Sequence, residues 1–265
     1  MRNHQRRGAI VQIWRRVPVV RWLVSLGLFV LLWQSVVWAF RVPAYLLPSP
    51  AATARAILGD GRLLLRHVTA TAVETLAGLG IALGLGIGLA LAMHRLRLLR
   101  ELIYPHLVLS QAVPLIAIAP MILIWFGLGV TSKILVVAFV CFFPITVSSY
   151  EGFRTVDPAY AELLETFGAS WIDRYRYLYI PATLPGIISG LKIAATYSVL
   201  GAVVGEWLGG SIGLGVYMTR ALQSFRTDAL FGAIVIVMAL SFALFKVADV
   251  GGAMLTPWIA RRNHE

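Results

Sequence analysis

Six long apolar stretches constrain the fold of this chain more than any other feature of its sequence. A helix that crosses the ~30 Å hydrocarbon core of a bilayer needs about twenty consecutive apolar residues, whereas a soluble core has no need of runs this long. The composition agrees, because 59% of the residues are hydrophobic and 13% are charged. We therefore predict an all-α membrane protein whose six transmembrane helices are Val17–Phe40, Val68–Met93, Leu102–Phe126, Ser132–Tyr150, Ile187–Leu208 and Ala229–Val250.

The first apolar stretch follows a basic leader, as the apolar part of a secretory signal peptide does. It is longer than the ~7–15 residues of a signal peptide and ends without a small-residue cleavage site, so we predict that it is retained as the first span. The chain then divides into an N-terminal tail at 1–16, one membrane domain at 17–250 and a C-terminal tail at 251–265.

Arginine and lysine are distributed unevenly between the two sides of these spans. The two tails and the connections at 94–101 and 151–186 hold thirteen of them. The opposite side holds seven, a count that includes the adjoining Lys133. Because cytoplasmic loops are enriched in these residues, both termini and the 151–186 loop are predicted to be cytoplasmic. The same distribution accounts for the net charge of +11 without a nucleic-acid partner.

Glycine and proline mark two of the spans. In the second span, glycines four residues apart share one helix face and permit close packing, either inside one subunit or across a dimer seam. In the third span, three prolines predict a kinked or broken helix of the kind that can line a transport path. These residues are Gly80, Gly84, Gly88, Pro105, Pro114 and Pro120.

Two connections on the predicted outer side carry local signals. Ser49 before Pro50 predicts the N-cap and first residue of a short helix. The glycine-rich stretch Gly209–Gly215 is predicted to be a turn.

The loop at 151–186 carries the clearest local pattern. Asp157 before Pro158 predicts a helix N-terminus, and Gly168 predicts the end of that helix. A structured loop of this kind suits contact with another protein.

A second short helix is predicted to follow in the same loop. Ser170 and Asp173 form the pattern of a capping box at its start. Pro181 is predicted to end it.

The loop also carries a longer motif. It begins with the run Glu162–Ala169 and ends with Leu178-Tyr179-Ile180-Pro181, and nine residues lie between Gly168 and Leu178. This pattern resembles the EAA loop of binding-protein-dependent ABC importer permeases. The glutamate, the glycine, the spacing and the proline of that loop are present. The departures are apolar exchanges at Leu163, Leu164, Leu178 and Ile180.

This resemblance implies a type I ABC importer permease in the bacterial inner membrane. Two copies form the pore in such importers, and the sequence leaves open whether the pair is a homodimer or a heterodimer. Each permease docks its loop on a cytoplasmic ATPase dimer that holds the ATP, and a periplasmic or lipid-anchored binding protein delivers the cargo. Membrane lipid surrounds the spans. The residues implied in ATPase coupling are Asp157, Glu162, Glu165, Gly168, Ala169 and Pro181.

Motifs of other classes do not occur in the sequence. It has no GxxxxGK[ST] phosphate loop, no HExxH and no GxSxG. Cys141 is the single cysteine, and the five histidines show no paired ligand spacing, so no metal or cofactor is expected. We predict a permease rather than an enzyme. The alternatives from other classes are an intramembrane enzyme and a non-transporting membrane anchor.

Ionisable residues inside spans are costly and are therefore candidates for function. Glu74 lies in the second span near Thr71, and Glu206 lies near the outer end of the fifth beside Trp207. We assign these four residues, with Gln111, to the substrate path. We expect no deep arginine or lysine to accompany them, which favours a neutral or weakly basic cargo over an anion.

The cargo prediction also rests on a resemblance within the family. Thr71–Gly78 and Gly201–Gly209 are similar to permeases for hydroxymethylpyrimidine, a thiamine precursor, and to related riboflavin-type importers. Permeases of the sulfonate, taurine and nitrate branch commonly have arginine where this chain has Glu74. The resemblance therefore implies a thiamine precursor as cargo, with anions of the sulfonate, taurine or nitrate type as the alternative.

Overall fold

The computed structural model describes residues 18–258, with side chains from Trp22 onward. The predicted tail at 1–16 and the last seven residues of the chain lie outside this range. Every regular element in the described part is helical. The elements are α1 (Pro18–Ala39), α2 (Pro50–Gly59), α3 (Gly61–Arg95), α4 (Arg97–Ser110), α5 (Leu115–Phe126), α6 (Val130–Arg154), α7 (Pro158–Thr166), α8 (Trp171–Arg174), a π-helical turn (Tyr175–Tyr179), α9 (Ile180–Gly209), α10 (Leu214–Gln223) and α11 (Thr227–Leu255).

The helices confirm the predicted set of membrane spans. Five helical segments of the described chain are long and apolar enough to cross a membrane, and α4 and α5 give a sixth when the pair, bent by 108°, is counted as one broken span. The predicted break in the third span is therefore confirmed. It lies at Pro114, whereas Pro105 and Pro120 are accommodated inside α4 and α5.

The described chain forms two compact units, of which the larger contains residues 62–220 and 233–258. Its core is built around α6, which packs most extensively against α9. Small residues allow both α3 and α9 to approach α6, since a Cβ atom at Gly78 of α3 or at Gly190 of α9 would overlap atoms of α6. Close backbone packing of this kind is the usual way in which membrane helices associate. The buried core residues are Ala82, Val137, Cys141, Ile145, Ala194 and Ala202.

The structure separates two sets of glycines on α3. Gly78 and Gly86 face α6, whereas Gly80, Gly84 and Gly88 have no other atom within 4 Å of an added Cβ in the described chain. The second set therefore has no packing partner within the larger unit, and packing inside the subunit, one of the two interpretations of their spacing, is not supported there. The dimer seam stays a prediction.

The smaller unit contains residues 18–61 together with 221–232. Its helix α2 begins as predicted, because the Ala52 N–H donates to the Ser49 hydroxyl at 3.2 Å and Pro50 occupies the first turn. An ion pair of 2.9 Å between Arg226 and Asp60 holds the residue after α2 within the same unit.

Pro181 does not end a helix, contrary to the prediction from the sequence. The chain continues from α8 through the π-helical turn into α9, and Pro181 lies in the first turn of α9. The wider turn explains how this is possible, because the Ile180 N–H bonds to the Tyr175 carbonyl and the helix register shifts before the proline. Pro181 has no N–H to donate, and it lies at the point where the register of the helix hydrogen bonds is already changing.

The orientation of the spans can be tested by labelling single cysteines. We expect a membrane-impermeant thiol reagent on intact cells to label Ala54→Cys and Ser224→Cys but not Ala159→Cys, in a Cys141→Ala background. All three positions are exposed in the structure. Labelling of Ala159→Cys without prior permeabilisation would reverse the predicted orientation.

Candidate functional site

The break between α4 and α5 creates an irregular segment of backbone within the third span. Pro114 has no N–H to donate and restricts Val113 to an extended conformation, so the helix stops before it. The Ala112 N–H donates to the Leu109 carbonyl at 3.0 Å, which closes the end of α4 with a tight turn. Irregular backbone at membrane depth is tolerated where it is buried in protein or lines a cavity.

A cavity of about 460 Å³ lies at this break, between the irregular segment, α6 and α9. Its polar side chains are those of Ser110, Gln111 and Tyr197, and no charged residue lines it. The volume is within the ~300–1,000 Å³ range of small-molecule sites. The full lining is Ser110, Gln111, Ala112, Val113, Pro114, Leu115, Phe139, Val140, Phe143, Pro144, Ile193, Tyr197 and Leu200.

A separate cluster of buried polar side chains lies among α3, α6 and the end of α9. Lys133 Nζ donates to Glu74 Oε1 at 2.7 Å, and both side chains are at most 3% exposed. Glu206 is 1% exposed and accepts a 2.6 Å hydrogen bond from the Thr71 hydroxyl. The cluster thus ties three helices together by charged and polar contacts.

This cluster also holds the chain that follows α9. The Gly215 N–H donates to Glu206 Oε2 at 2.5 Å, and the Leu214 N–H donates to the Thr71 hydroxyl at 2.8 Å. These are the first N–H groups of α10, so the two side chains cap that helix. Gly213 has φ +131°, and a Cβ atom there would overlap the Glu206 carboxyl group. The predicted turn is therefore present at residues 210–213, between the end of α9 at Gly209 and the start of α10 at Leu214, and it is shaped around a buried carboxylate.

The structure divides the residues that were assigned to the substrate path. Glu74, Thr71 and Glu206 lie together in the buried cluster, whereas Gln111 lines the cavity at the helix break. Trp207 follows Glu206 in the chain and is about half exposed. The five residues do not form one site.

The expectation that no deep cation accompanies these acids is wrong. Lys133 is buried and paired with Glu74, although its place near the start of α6 suggested an outer connection. His67 was not predicted as a site residue, yet its Nδ1 accepts a 3.0 Å hydrogen bond from the Gly213 N–H. The sequence did contain a signal for Lys133, because a carboxylate inside one membrane span usually pairs with a cation from another span.

The 151–186 loop is built as its local pattern predicted as far as Asp173, whereas the prediction for Pro181 is wrong. Asp157 accepts a 3.0 Å hydrogen bond from the Ala159 N–H at the start of α7, and Ser170 and Asp173 form a capping box. Gly168 has φ +78° at the end of α7. The Ala169 N–H donates to the Leu164 carbonyl at 3.0 Å, which completes a Schellman motif.

The two short helices of this loop expose apolar side chains instead of burying them. Phe167 is 79% exposed, and Arg174 pairs with Glu165 at 2.8 Å to link α8 to α7. An exposed apolar patch with a polar rim marks an interaction surface. The other exposed apolar residues of the two helices are Tyr160, Leu163, Trp171 and Ile172.

Comparison with known proteins adds independent information. Residues 82–261 match the family described as "Binding-protein-dependent transport system inner membrane component". A riboflavin transport system permease protein of Chloroflexus aurantiacus is 37% identical over 92% of this chain and 91% of its own length. A formylaminopyrimidine transport permease protein of Halalkalibacterium halodurans is 36% identical over 81% of this chain and 86% of its own length. A probable ABC transporter permease protein of Haemophilus influenzae is 35% identical over 88% of this chain and 96% of its own length.

Proposed function

Because the chain belongs to the family of binding-protein-dependent transport system inner membrane components, we propose that it carries a heteroaromatic thiamine precursor across the bacterial inner membrane. It is the permease subunit of an ABC importer and not an enzyme. Its family works with an ATPase and a substrate-binding protein. The cargo, the pore-forming pair and the roles of individual residues are the parts that we propose.

Coupling to the ATPase is assigned to α7 and α8. The capped, glycine-terminated helix pair gives a short rigid lever, and its exposed apolar face gives a surface for another protein. Within it, Glu162 and Glu165 lie on α7, and Ala169 closes the turn that separates the helices. Movement of the ATPase pair would then be transmitted to the spans through the continuous helix from α8 into α9. ATP is assigned to the partner, and two copies of this chain are proposed to form the pore.

The lining of the helix-break cavity carries the cargo proposal. Aromatic rings and the neutral groups of Gln111 and Tyr197 suit a flat heteroaromatic solute that stacks and exchanges hydrogen bonds. Lys133 is a buried cation, which is the type of group that binds an anion. Its ammonium group is already bonded to Glu74, however, and the residue does not line the cavity. An anionic cargo would find no compensating charge there. The riboflavin and formylaminopyrimidine permeases among the relatives agree with this choice.

Uptake into proteoliposomes tests the cargo directly. The chain, its ATPase and its binding protein are reconstituted and supplied with labelled hydroxymethylpyrimidine or labelled taurine. We expect ATP-dependent uptake of the pyrimidine. ATP-dependent uptake of taurine in its place would overturn the proposal for a thiamine precursor and leave the permease assignment intact.

The role of the cavity is tested by Gln111→Leu. Losing amide hydrogen bonds worth about 0.5–1.5 kcal/mol each is expected to raise the KM for the cargo roughly tenfold. ATPase association should be unchanged, because Gln111 is not in the coupling loop. Gln223→Leu is the matched control, since Gln223 is exposed at the end of α10 and does not line the cavity. An unchanged KM for Gln111→Leu would remove this cavity from the transport path.

A further inference from the structure

A second large cavity of the same unit is unlike the helix-break cavity in charge. It measures about 480 Å³ and opens between the ends of α3 and α6, the start of α4, and the two short helices of the coupling loop. Five arginines line it against two glutamates, Glu162 and Glu165. The arginines come from four separate elements and are Arg95, Arg97, Arg100, Arg154 and Arg174.

Arg154 pairs with Glu151 at 3.2 Å and Arg174 with Glu165 at 2.8 Å, but the other three guanidinium groups have no carboxylate of their own. Arg97 and Arg100 share the single carboxylate of Glu101, at 2.8 and 3.6 Å. Arg95 has no ion pair among residues 18–258, and its guanidinium lies 5.6 Å from the centre of the Trp171 ring. The cavity therefore contains guanidinium groups with hydrogen-bond donors left for a ligand.

We propose that this arginine-lined cavity binds a phosphate-bearing anion. Arginine presents a planar fork of donors that matches phosphate oxygens, and several forks converging on one space suit a diphosphate or a phosphate ester better than a single halide. The volume is larger than one phosphate group requires. Two sources share this chemistry: the headgroup of an anionic lipid and a free phosphorylated solute.

Enrichment of arginine on a cytoplasmic side is not by itself a binding site, because it also sets topology. The concave arrangement distinguishes this group, since Arg154 and Arg174 join the neighbouring Arg95, Arg97 and Arg100 around one open cavity. Aromatic side chains contribute to the same walls. Phe153 stacks on His94 with ring centres 4.9 Å apart, which gives the cavity a rigid apolar side beneath the charges.

The position of the cavity gives the anion a consequence for transport, which rests on the proposed coupling role of the loop. Glu162 and Glu165 of α7 and Arg174 of α8 form one wall, and the ends of the spans form the other. A ligand that bridges both walls would hold the loop against the spans. Bound anion is therefore expected to slow ATP-driven transport.

Calorimetry on the full chain in phosphatidylcholine nanodiscs tests the site with pyrophosphate as the probe. We expect saturable binding that weakens at least tenfold in Arg95→Gln/Arg100→Gln at constant ionic strength. Arg55→Gln/Arg62→Gln is the matched control, because it removes the same charge from two exposed positions that do not line the cavity. Its affinity should equal that of the unmodified chain.

A second arm identifies the source of the anion. Native mass spectrometry in mixed phosphatidylglycerol and phosphatidylcholine measures which lipid is retained, and retention of phosphatidylglycerol that Arg95→Gln/Arg100→Gln abolishes would assign the site to a lipid headgroup. Pyrophosphate binding without such retention would assign it to a free solute. Failure of both probes, or equal loss in the two double variants, would overturn the proposal. Uptake by the same variants is measured separately, so a failed anion site leaves the permease function untouched.

Discussion

Replacing Lys133 with methionine is expected to lower the free energy of unfolding by about 3–5 kcal/mol. The change leaves the carboxylate of Glu74 buried without its cation, at a site where both partners are at most 3% exposed. It also removes the 3.4 Å contact from Lys133 Nζ to the Ile212 carbonyl, which helps to position the turn before α10. Equilibrium unfolding of the purified chain in mixed detergent micelles measures the loss.

The double variant Lys133→Met/Glu74→Gln is the control for this prediction. It removes both charges, and exchange of a whole buried ion pair for neutral residues is often close to neutral in stability. Most of the loss should therefore be recovered. If the single and double variants are equally destabilised, packing and not charge accounts for the effect.

Glu74→Gln alone addresses the substrate role that was predicted for Glu74. The ion pair with Lys133 supports a structural role, in which the variant is less stable but the surviving folded protein keeps its KM for the cargo. A raised KM at unchanged stability would restore Glu74 to the substrate path.

Replacing Gly168 with valine is expected to uncouple the permease from its ATPase. Gly168 has φ +78°, a conformation in which a β-branched residue is strained by about 1–3 kcal/mol. Relief of that strain would change the orientation of α8 relative to α7. The affinity for the ATPase should therefore fall roughly tenfold, and the rate of uptake should fall with it. Co-purification of the ATPase with the membrane-inserted permease measures the first effect, and proteoliposome uptake measures the second.

Gly168→Asn separates conformation from side-chain size. Asparagine enters the left-handed region more readily than other non-glycine residues, so this variant should keep most of the uptake. The combined change Gly168→Val/Glu162→Ala should abolish uptake. Undiminished uptake by that double variant would show that α7 and α8 are not the lever.

The local structure of the coupling loop followed closely from its sequence. Asp157, Gly168 and the Ser170–Asp173 capping box each act through hydrogen bonds to backbone within a few residues, so short patterns were sufficient to predict them. Pro181 was predicted wrongly, although its effect is also local. The π-helical turn before it changes the register, and no rule of composition signalled that turn.

The number and approximate places of the spans, the break at the third span and the coupling loop could all be predicted from the sequence, because each depends on apolar length or on hydrogen bonds between near neighbours. Which residues share a site depends instead on how the helices pack. Glu74 and Lys133 are 59 positions apart, and their 2.7 Å contact depends on how α3 and α6 are rotated and aligned. The same rotation turns Gly78 and Gly86 toward α6. It leaves Gly80, Gly84 and Gly88 without a packing partner in the larger unit, a difference that the spacing of the glycines does not reveal. Helix periodicity defines a face, but the packing of neighbouring helices selects which face is buried.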